Sequence, residues 1–498
     1  MVRVRIAPSP TGNAHFGFAR TALFNYLFAK KHKGSFIVRI EDTDKERSKG
    51  EFEVSILSDL KWLGLSWDEG PDVDADGVYG PYRQSERGHI YKKYLEQLSA
   101  QRRIYKCYCT KEQLDAERQE QVFAKLPPRY SGKCRDLTDG QRSAFEKEGR
   151  ASTIRFLLQP QTIVIDDLIR GKVQFDTSLM DDFIIAKNFD TPLYNFAVVI
   201  DDSLMDITHV IRGEEHISNT PKQIQLSSAL GLHIPQFGHL PLILDSDRKK
   251  MSKRENKTAL FEYRNDGYLP EALINFMALL GWNPGGEREL YTLEELEEIF
   301  DLAHVNKSGS IFDLQKLDWF NGHYIRHSSL EQITHEAIPY FISSGLISMV
   351  GTDRYKTNAN EGISFDTLKN IVEIERQRIK KMSEIALNAH FYFVDELQYD
   401  SELLQWKGMA VDELKQQLAF AYECLENINE DSWTIHEIEH TLKDKIKASG
   451  RQNGEVLWPL RVALSGLKAS PGPFEIASII HKAKTIKRID QALAKITS

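Results

Sequence analysis

The sequence predicts an α/β protein: a parallel-sheet domain split by an insertion, followed by an all-helical C-terminal third. Two observations carry this. The first forty residues read strand, helix, strand, and a βαβ unit of that length makes its two strands parallel. Beyond about residue 326 the apolar spacing is that of amphipathic helices, with no strand-rich run and no internal repeat.

The opening strand follows from alternation. Val2, Val4 and Ile6 share one face, and Arg3 and Arg5 share the other. The turn-rich run Pro8-Ser9-Pro10-Thr11-Gly12-Asn13 ends it. Leu23/Leu27 and Phe24/Phe28 then recur at helical spacing, with Gly34 expected as the C-terminal cap. Phe36–Ile40 is the second strand and runs into Glu41. Ligands of parallel sheets sit at the carboxyl ends of the strands, which places the Pro8–Gly17 loop and Glu41 around one site. Residues from about 105 to 190 break the pattern with a cysteine cluster, a polar helix at Lys111–Lys125 and short strands such as Thr153–Leu157. The parallel pattern is expected to resume with strands at Ala197–Ile200 and Ile207–Ile211. After about residue 260 helices dominate, one of them starting at Pro270 with Leu273, Phe276, Met277 and Leu280 on a face.

Composition narrows the function classes. The 498 residues suit about three to five domains. No apolar run approaches the ~20 residues of a membrane span. The N-terminus reads as a strand rather than a signal peptide, so no cleaved leader is expected. Three of the four cysteines cluster, which points to metal or structure in a reducing compartment, and a cytoplasmic location is the default expectation. The net charge of −8 argues against nonspecific coating of nucleic acid. The chain from Lys443 to Ser498 nevertheless carries eleven Lys/Arg against four Asp/Glu, a basic end that fits RNA bound at one place or a solvated helical surface.

Two loops about 230 residues apart carry chemistry. The first, Pro8 to Phe18, joins a strand to a helix, where unpaired backbone N–H groups suit phosphate. Its His15 supplies a donor, and Gly17 lets a nucleotide approach the backbone. The loop matches neither G-x-x-x-x-G-K-[ST] nor G-x-G-x-x-G. The second, Arg248-Lys249-Lys250-Met251-Ser252-Lys253-Arg254, is a basic run that clamps polyphosphate if it lies at the sheet's carboxyl edge, and is otherwise an ordinary solvated loop.

Together the loops resemble the two signature elements of class I aminoacyl-tRNA synthetases. The first is similar to the family's His-Ile-Gly-His element in the short form of the glutamyl branch. The second is similar to Lys-Met-Ser-Lys-Ser, with Arg254 in the last place. Arg39–Asp44, Gly80–Ser85, Tyr194–Ala197, Val210–His216, Lys316–Trp319 and Trp458–Arg461 resemble glutamyl-tRNA synthetase segments in the same order, so the resemblance spans almost the whole chain.

The resemblance implies a Rossmann-like catalytic domain (1–105 and 191–258), an inserted connective domain for the acceptor stem (106–190), a helical stem-contact domain (259–325) and an all-helical anticodon-binding module (326–498). It implies a monomeric ligase that activates L-glutamate with ATP and Mg²⁺ and transfers it to tRNA(Glu). Ser9, His15, Gly17, Glu215, His216, Lys250 and Lys253 match the ATP-binding positions, with His15, Lys250 and Lys253 catalytic. Glutamate needs a cation for its side-chain carboxylate, and Arg supplies a two-toothed fork. Arg5 and Arg212 match substrate-holding positions, Glu41 the α-ammonium position and Tyr194 the pocket wall. Cys107-x-Cys109, Tyr130 and Cys134 resemble the family's zinc-bearing pattern. A structural zinc wants four ligands, and either Tyr130 or Asp136 completes the set. The glutaminyl branch carries β-barrels at its C-terminus, and the helical pattern here favours the glutamyl branch.

Overall fold

The structure, a computed structural model, describes the chain except residues 45, 74–76, 252–256, 359 and 498. It divides into two compact units, Met1–Arg264 with Pro270–Leu317, and Asn265–Leu269 with Asp318–Ser498.

The first unit opens with the expected βαβ unit: β1 (Arg3–Ile6), α1 (Phe16–Lys31) and β2 (Ser35–Val38), with β1 and β2 parallel in the register Arg3 to Ser35. After α2 (Gly50–Trp62) and α3 (Gly88–Ala100) the chain enters the insertion. There β3 (Ile104–Cys107), α4 (Lys111–Phe123), α5 (Asp139–Lys147), β4 (Thr153–Phe156), the hairpin β5 (Thr162–Asp167) and β6 (Gly171–Asp176), β7 (Phe183–Asn188) and β8 (Thr191–Pro192) follow in turn. The insertion's main sheet has the order β3-β4-β7-β8 and is antiparallel. Capping boxes at Thr110/Gln113 and Thr138/Gln141 start its two helices.

The parallel layer then resumes, one element later than the sequence predicts. Ala197–Ile200 is not a strand but the centre of a helix, α6 (Tyr194–Leu204). Phe196 to Asp202 are all buried, and a helix buried all round shows the same continuous apolar run as a buried strand. The strand that does return is β9 (His209–Gly213). Helix α7 (Thr220–Leu230) leads to β10 (Gln236–Leu240), parallel to β9. Thr208 N donates to Arg3 O and Gln236 N to Thr208 O, so the layer reads β2, β1, β9, β10.

Gly34 also acts differently from expectation. Helix α1 ends at Lys31, and Lys33, at φ 50°, takes the left-handed position. A Cβ on Gly34 would stand 2.2 Å from the Val2 carbonyl oxygen, so glycine is required there for close approach to β1.

The second unit is helical, as expected, with one departure. Ile347–Gly351, Arg354–Thr357 and Gly362–Ser364 form an antiparallel three-stranded meander. Strands of three to five residues, exposed over much of their length, offer too little alternation to register in the sequence. The basic C-terminus is partly internal. Arg488 is buried and donates to the carbonyls of Leu464, Phe391 and Val394, at 2.5, 2.5 and 2.7 Å. Lys482 Nζ donates to the carbonyls of Glu426 and Ile428 at 2.8 and 2.6 Å. These cations satisfy chain ends left over by helix termini. Lys443, Lys445, Lys447 and Lys487 remain exposed.

Candidate active site

Helix α1 begins on an imidazole. His15 has extended backbone angles, and its Nδ1 accepts from Phe18 N at 3.0 Å. That bond satisfies a first-turn N–H and fixes the neutral ring's proton on Nε2, where it serves as a donor. Gly17 leaves room for this ring: a Cβ there would lie 3.3 Å from Nδ1 of His15, a tight contact to which the imidazole would have to yield. Phe16 N donates to Thr258 O and Leu260 N to Ala14 O, both at 2.8 Å. The chain leaving the lysine loop is thus laced to the first loop, and two sequence-distant loops become one region. Before it, Met251 N donates to Ile243 O and Lys249 N to Asp245 Oδ1, so Lys250 sits exposed on a tight turn. Ser252, Lys253 and Arg254 lie outside the described residues. Ser9 is exposed in the same loop, and its carbonyl accepts from Thr11 N at 2.8 Å.

Behind the loop, at the carboxyl ends of β1 and β2, lies a buried ionic cluster. Arg5 holds both oxygens of Asp202, at 3.0 and 3.3 Å. Arg39 donates to Asp202 at 2.7 Å and to Glu41 at 3.1 Å. Asp201, the preceding residue of α6, takes bonds from Arg87, Gln84 and Tyr91. Burial opposes the Asp202 charge, but Arg5 and Arg39 overcome it and hold its carboxyl below the usual range. Glu41 goes the other way: burial pushes its carboxyl up in spite of Arg39 and Arg5. Glu41 N donates to Pro8 O at 2.8 Å, which ties the Glu41 backbone to the first loop.

Arg212, on β9, differs from Arg5. Among the described residues, no carboxylate lies within its hydrogen-bond reach. Its Nε donates to His239 Nε2 at 3.3 Å and its Nη2 to Thr220 Oγ1 at 2.9 Å. Its Nη1 is buried with no hydrogen-bond partner among the described residues. Burial accordingly lowers the Arg212 guanidinium's affinity for its proton. Tyr194 Oη lies 3.3 Å from His216 Nδ1, and the His216 carbonyl is 3.4 Å from Arg212 Nη2. Burial, then Arg212, pushes His216 down to about 4, so this ring is neutral near pH 7. His216 therefore stands with Tyr194 and Arg212. Glu215 is exposed beyond it, and Gly213 makes room for its side chain: a Cβ there would come within 2.2 Å of Glu215 Oε2.

A third group sits in the insertion. The ligand atoms of Cys107, Cys109 and Cys134 lie within 4.8 Å of one another. Tyr130 Oη is 3.4 Å from Cys107 Sγ and 3.9 Å from Cys109 Sγ. Asp136 is exposed and stands outside this group. Burial works against a thiolate at Cys107, but bonds from Tyr130 and Arg155 bring its thiol below the usual value. Burial and then Cys107 push Cys109 up to about 12. A bound dication would favour the thiolate form of all three.

Comparison with known proteins gives the family. The family model "tRNA synthetases class I (E and Q), catalytic domain" matches residues 1–319. The chain belongs to the class I tRNA synthetases. A second family model, "Anticodon binding domain", matches residues 332–493 of the synthetase. The glutamate–tRNA ligase of Carboxydothermus hydrogenoformans is 46% identical over 490 residues, covering 98% of this chain and 99% of the relative. That of Symbiobacterium thermophilum is 44% identical over 492 residues, covering 98% and 99%. A crystal structure of the Elizabethkingia meningosepticum glutamate tRNA ligase, in complex with its amino acid, superposes with a TM-score of 0.86 at 34% identity, covering 99% of each chain.

Some residues of these clusters are not legible in the sequence. Asp202 gives no signal because the Ala197–Ile200 run just before it reads as a strand, which hides two consecutive carboxylates that continue a buried helix. Arg39 lies in a segment singled out for Glu41, and its own role needed the Asp202 contact. Asp167 and His239 gave no signal, since they meet only in three dimensions, 72 residues apart.

Proposed function

We propose that this synthetase joins L-glutamate to tRNA(Glu) in two steps, acting as a cytoplasmic monomer. The glutamate α-carboxylate attacks the α-phosphorus of ATP, and pyrophosphate leaves. A terminal tRNA hydroxyl then attacks the acyl carbon, its proton is lost, and AMP leaves. Both steps build charge on oxygen, so fixed donors and positioning do the work. His15 Nε2, the N–H groups at the start of α1, Lys250 and Lys253 hold the triphosphate, whose charge bound Mg²⁺ would shield, while Ser9 and Glu215 complete the nucleotide's surroundings.

The observation that carries the amino-acid assignment is the buried, unpartnered Nη1 of Arg212. A desolvated cation with an open donor is costly until an anion meets it. The glutamate side-chain carboxylate meets that need, and the neutral amide of glutamine does not. Burial works against the Glu41 charge, and an arriving α-ammonium would favour it. Arg5 is neutralised by Asp202 and lines the pocket with Tyr194 and His216. Residues 106–190 receive the acceptor end, 259–325 the stem and 326–498 the anticodon, with the exposed lysines of the C-terminal helices contributing charge. Zinc, held by Cys107, Cys109, Cys134 and the Tyr130 phenol, would balance the thiolates and brace the insertion structurally.

A charging assay with purified tRNA(Glu) and tRNA(Gln), each offered glutamate and glutamine, tests the reading. Glutamate on tRNA(Glu) is the expected product, and failure to charge either tRNA with glutamate would sink the assignment. Whether tRNA(Gln) is also charged separates a discriminating from a non-discriminating enzyme.

A further inference from the structure

Arg212 reaches the pocket through a chain of buried bonds that starts in the insertion. Asp167 closes the β5 hairpin: its Oδ1 accepts from Ile169 N at 3.0 Å, from Arg170 N at 2.8 Å and from His239 N at 3.3 Å. Its Oδ2 lies 2.6 Å from His239 Nδ1. His239, fully buried on β10, presents its Nε2 to Arg212 Nε at 3.3 Å, and Thr220 Oγ1 is 3.2 Å from the same atom. Leu168 N donates to Phe237 O at 2.9 Å, so the hairpin is bonded to β10 beside the histidine.

The directions of these bonds are fixed by chemistry. A guanidinium only donates, so His239 Nε2 must accept. The ring proton is then on Nδ1, where the Asp167 carboxylate receives it. Asp167 therefore sets the tautomer, and the tautomer orients the guanidinium. With Nε bonded to His239 and Nη2 to Thr220, Nη1 is the edge left for substrate.

We propose that Asp167 and His239 are a positioning pair for amino-acid recognition: the insertion's hairpin, through the histidine tautomer, aims Arg212 at the substrate side-chain carboxylate. The inference rests on the reading of Arg212 given above. Neither residue touches substrate, so their loss acts on glutamate affinity through Arg212's orientation.

Asp167→Asn is the sharpest test. It keeps the shape and the Oδ1 acceptor for the three backbone N–H groups. Its amide, however, donates to Nδ1 and drives the ring proton to Nε2, facing Arg212. In charging assays with tRNA(Glu), the KM for glutamate should rise at least about tenfold, the KM for ATP should change less than about twofold, and the melting temperature should be nearly unchanged. An unchanged KM for glutamate overturns the proposal. Should this variant fold poorly, a second pair decides. His239→Gln places an acceptor near the Nε2 position and should keep most of the glutamate affinity. His239→Asn keeps the Asp167 contact, lacks that acceptor and should lose it. Equal KM values for the two overturn the proposal. Arg212→Gln separates the levels. If it leaves the KM for glutamate unchanged, the glutamate pocket itself is misassigned. If it raises that KM while Asp167→Asn does not, only the positioning pair fails.

Discussion

Single side chains decide the chemistry, and each has a measurable consequence. Arg212→Lys keeps the charge but loses the fork, so the KM for glutamate should rise by roughly fiftyfold, about 2–3 kcal/mol, with the KM for ATP nearly constant. Steady-state charging at varied glutamate and ATP checks this. Gly17→Ala puts a methyl 3.3 Å from His15 Nδ1. The imidazole must shift, and kcat/KM for ATP should fall about tenfold, or ~1.4 kcal/mol, in pyrophosphate exchange. Glu375 makes a pH prediction. It is fully buried, and burial pushes its carboxyl up to about 7 despite Arg378 at 3.3 Å. The folded state therefore binds the proton more tightly than the unfolded chain does. The resulting stabilisation is complete below about pH 4.5 and is lost as pH rises towards 7, on the order of 3 kcal/mol in all. Urea titrations from pH 4.5 to 8 should show this loss in wild type and a flatter profile in Glu375→Gln. Residue types were legible at this scale: Arg5, Glu41, Tyr194 and Arg212 were all named from sequence. Their ranking was not, because the Asp202 partner that neutralises Arg5 lies 197 positions away.

At the scale of elements, close approaches and helix ends set the tolerances. A methyl at Gly34 would collide with the Val2 carbonyl where α1 returns to the sheet. Gly34→Ala should cost about 1–3 kcal/mol and lower the melting temperature with little change in KM. Calorimetry together with charging kinetics separates the two effects. Arg488 is a structural cation, bonded to three carbonyls rather than exposed to a ligand. Arg488→Met strands those acceptors and should destabilise the protein by about 3 kcal/mol or more, whereas reversing exposed Lys443 or Lys447 should weaken tRNA binding with little effect on melting. Element types were mostly readable. The opening βαβ unit followed from period two giving way to helical spacing. The centre of helix α6 reads as a strand because burial on every side erases the periodicity that separates helix from strand. The 347–364 meander was missed because its strands are too short to repeat a pattern.

Over the whole molecule, the first unit collects the His15 loop, the ionic cluster and the cysteine group, and the second is the helical module matched as an anticodon-binding domain. Protein purified in metal-free buffer should carry about one zinc per chain by elemental analysis. Cys109→Ser should lose that zinc and melt at lower temperature, and absence of metal from wild type would remove this part of the reading. The sequence by itself determined the family and the division into a parallel-sheet part and a helical part. Those properties are written in local spacing and in the order of short motifs, which survive without knowledge of contacts. Tertiary structure alone decided which arginine waits for a partner, which tautomer His239 holds, that Tyr130 rather than Asp136 faces the thiols, and that Arg488 is buried. Each of these depends on desolvation and on hydrogen bonds between distant segments, and burial changes the cost of a charge far more than its residue type does.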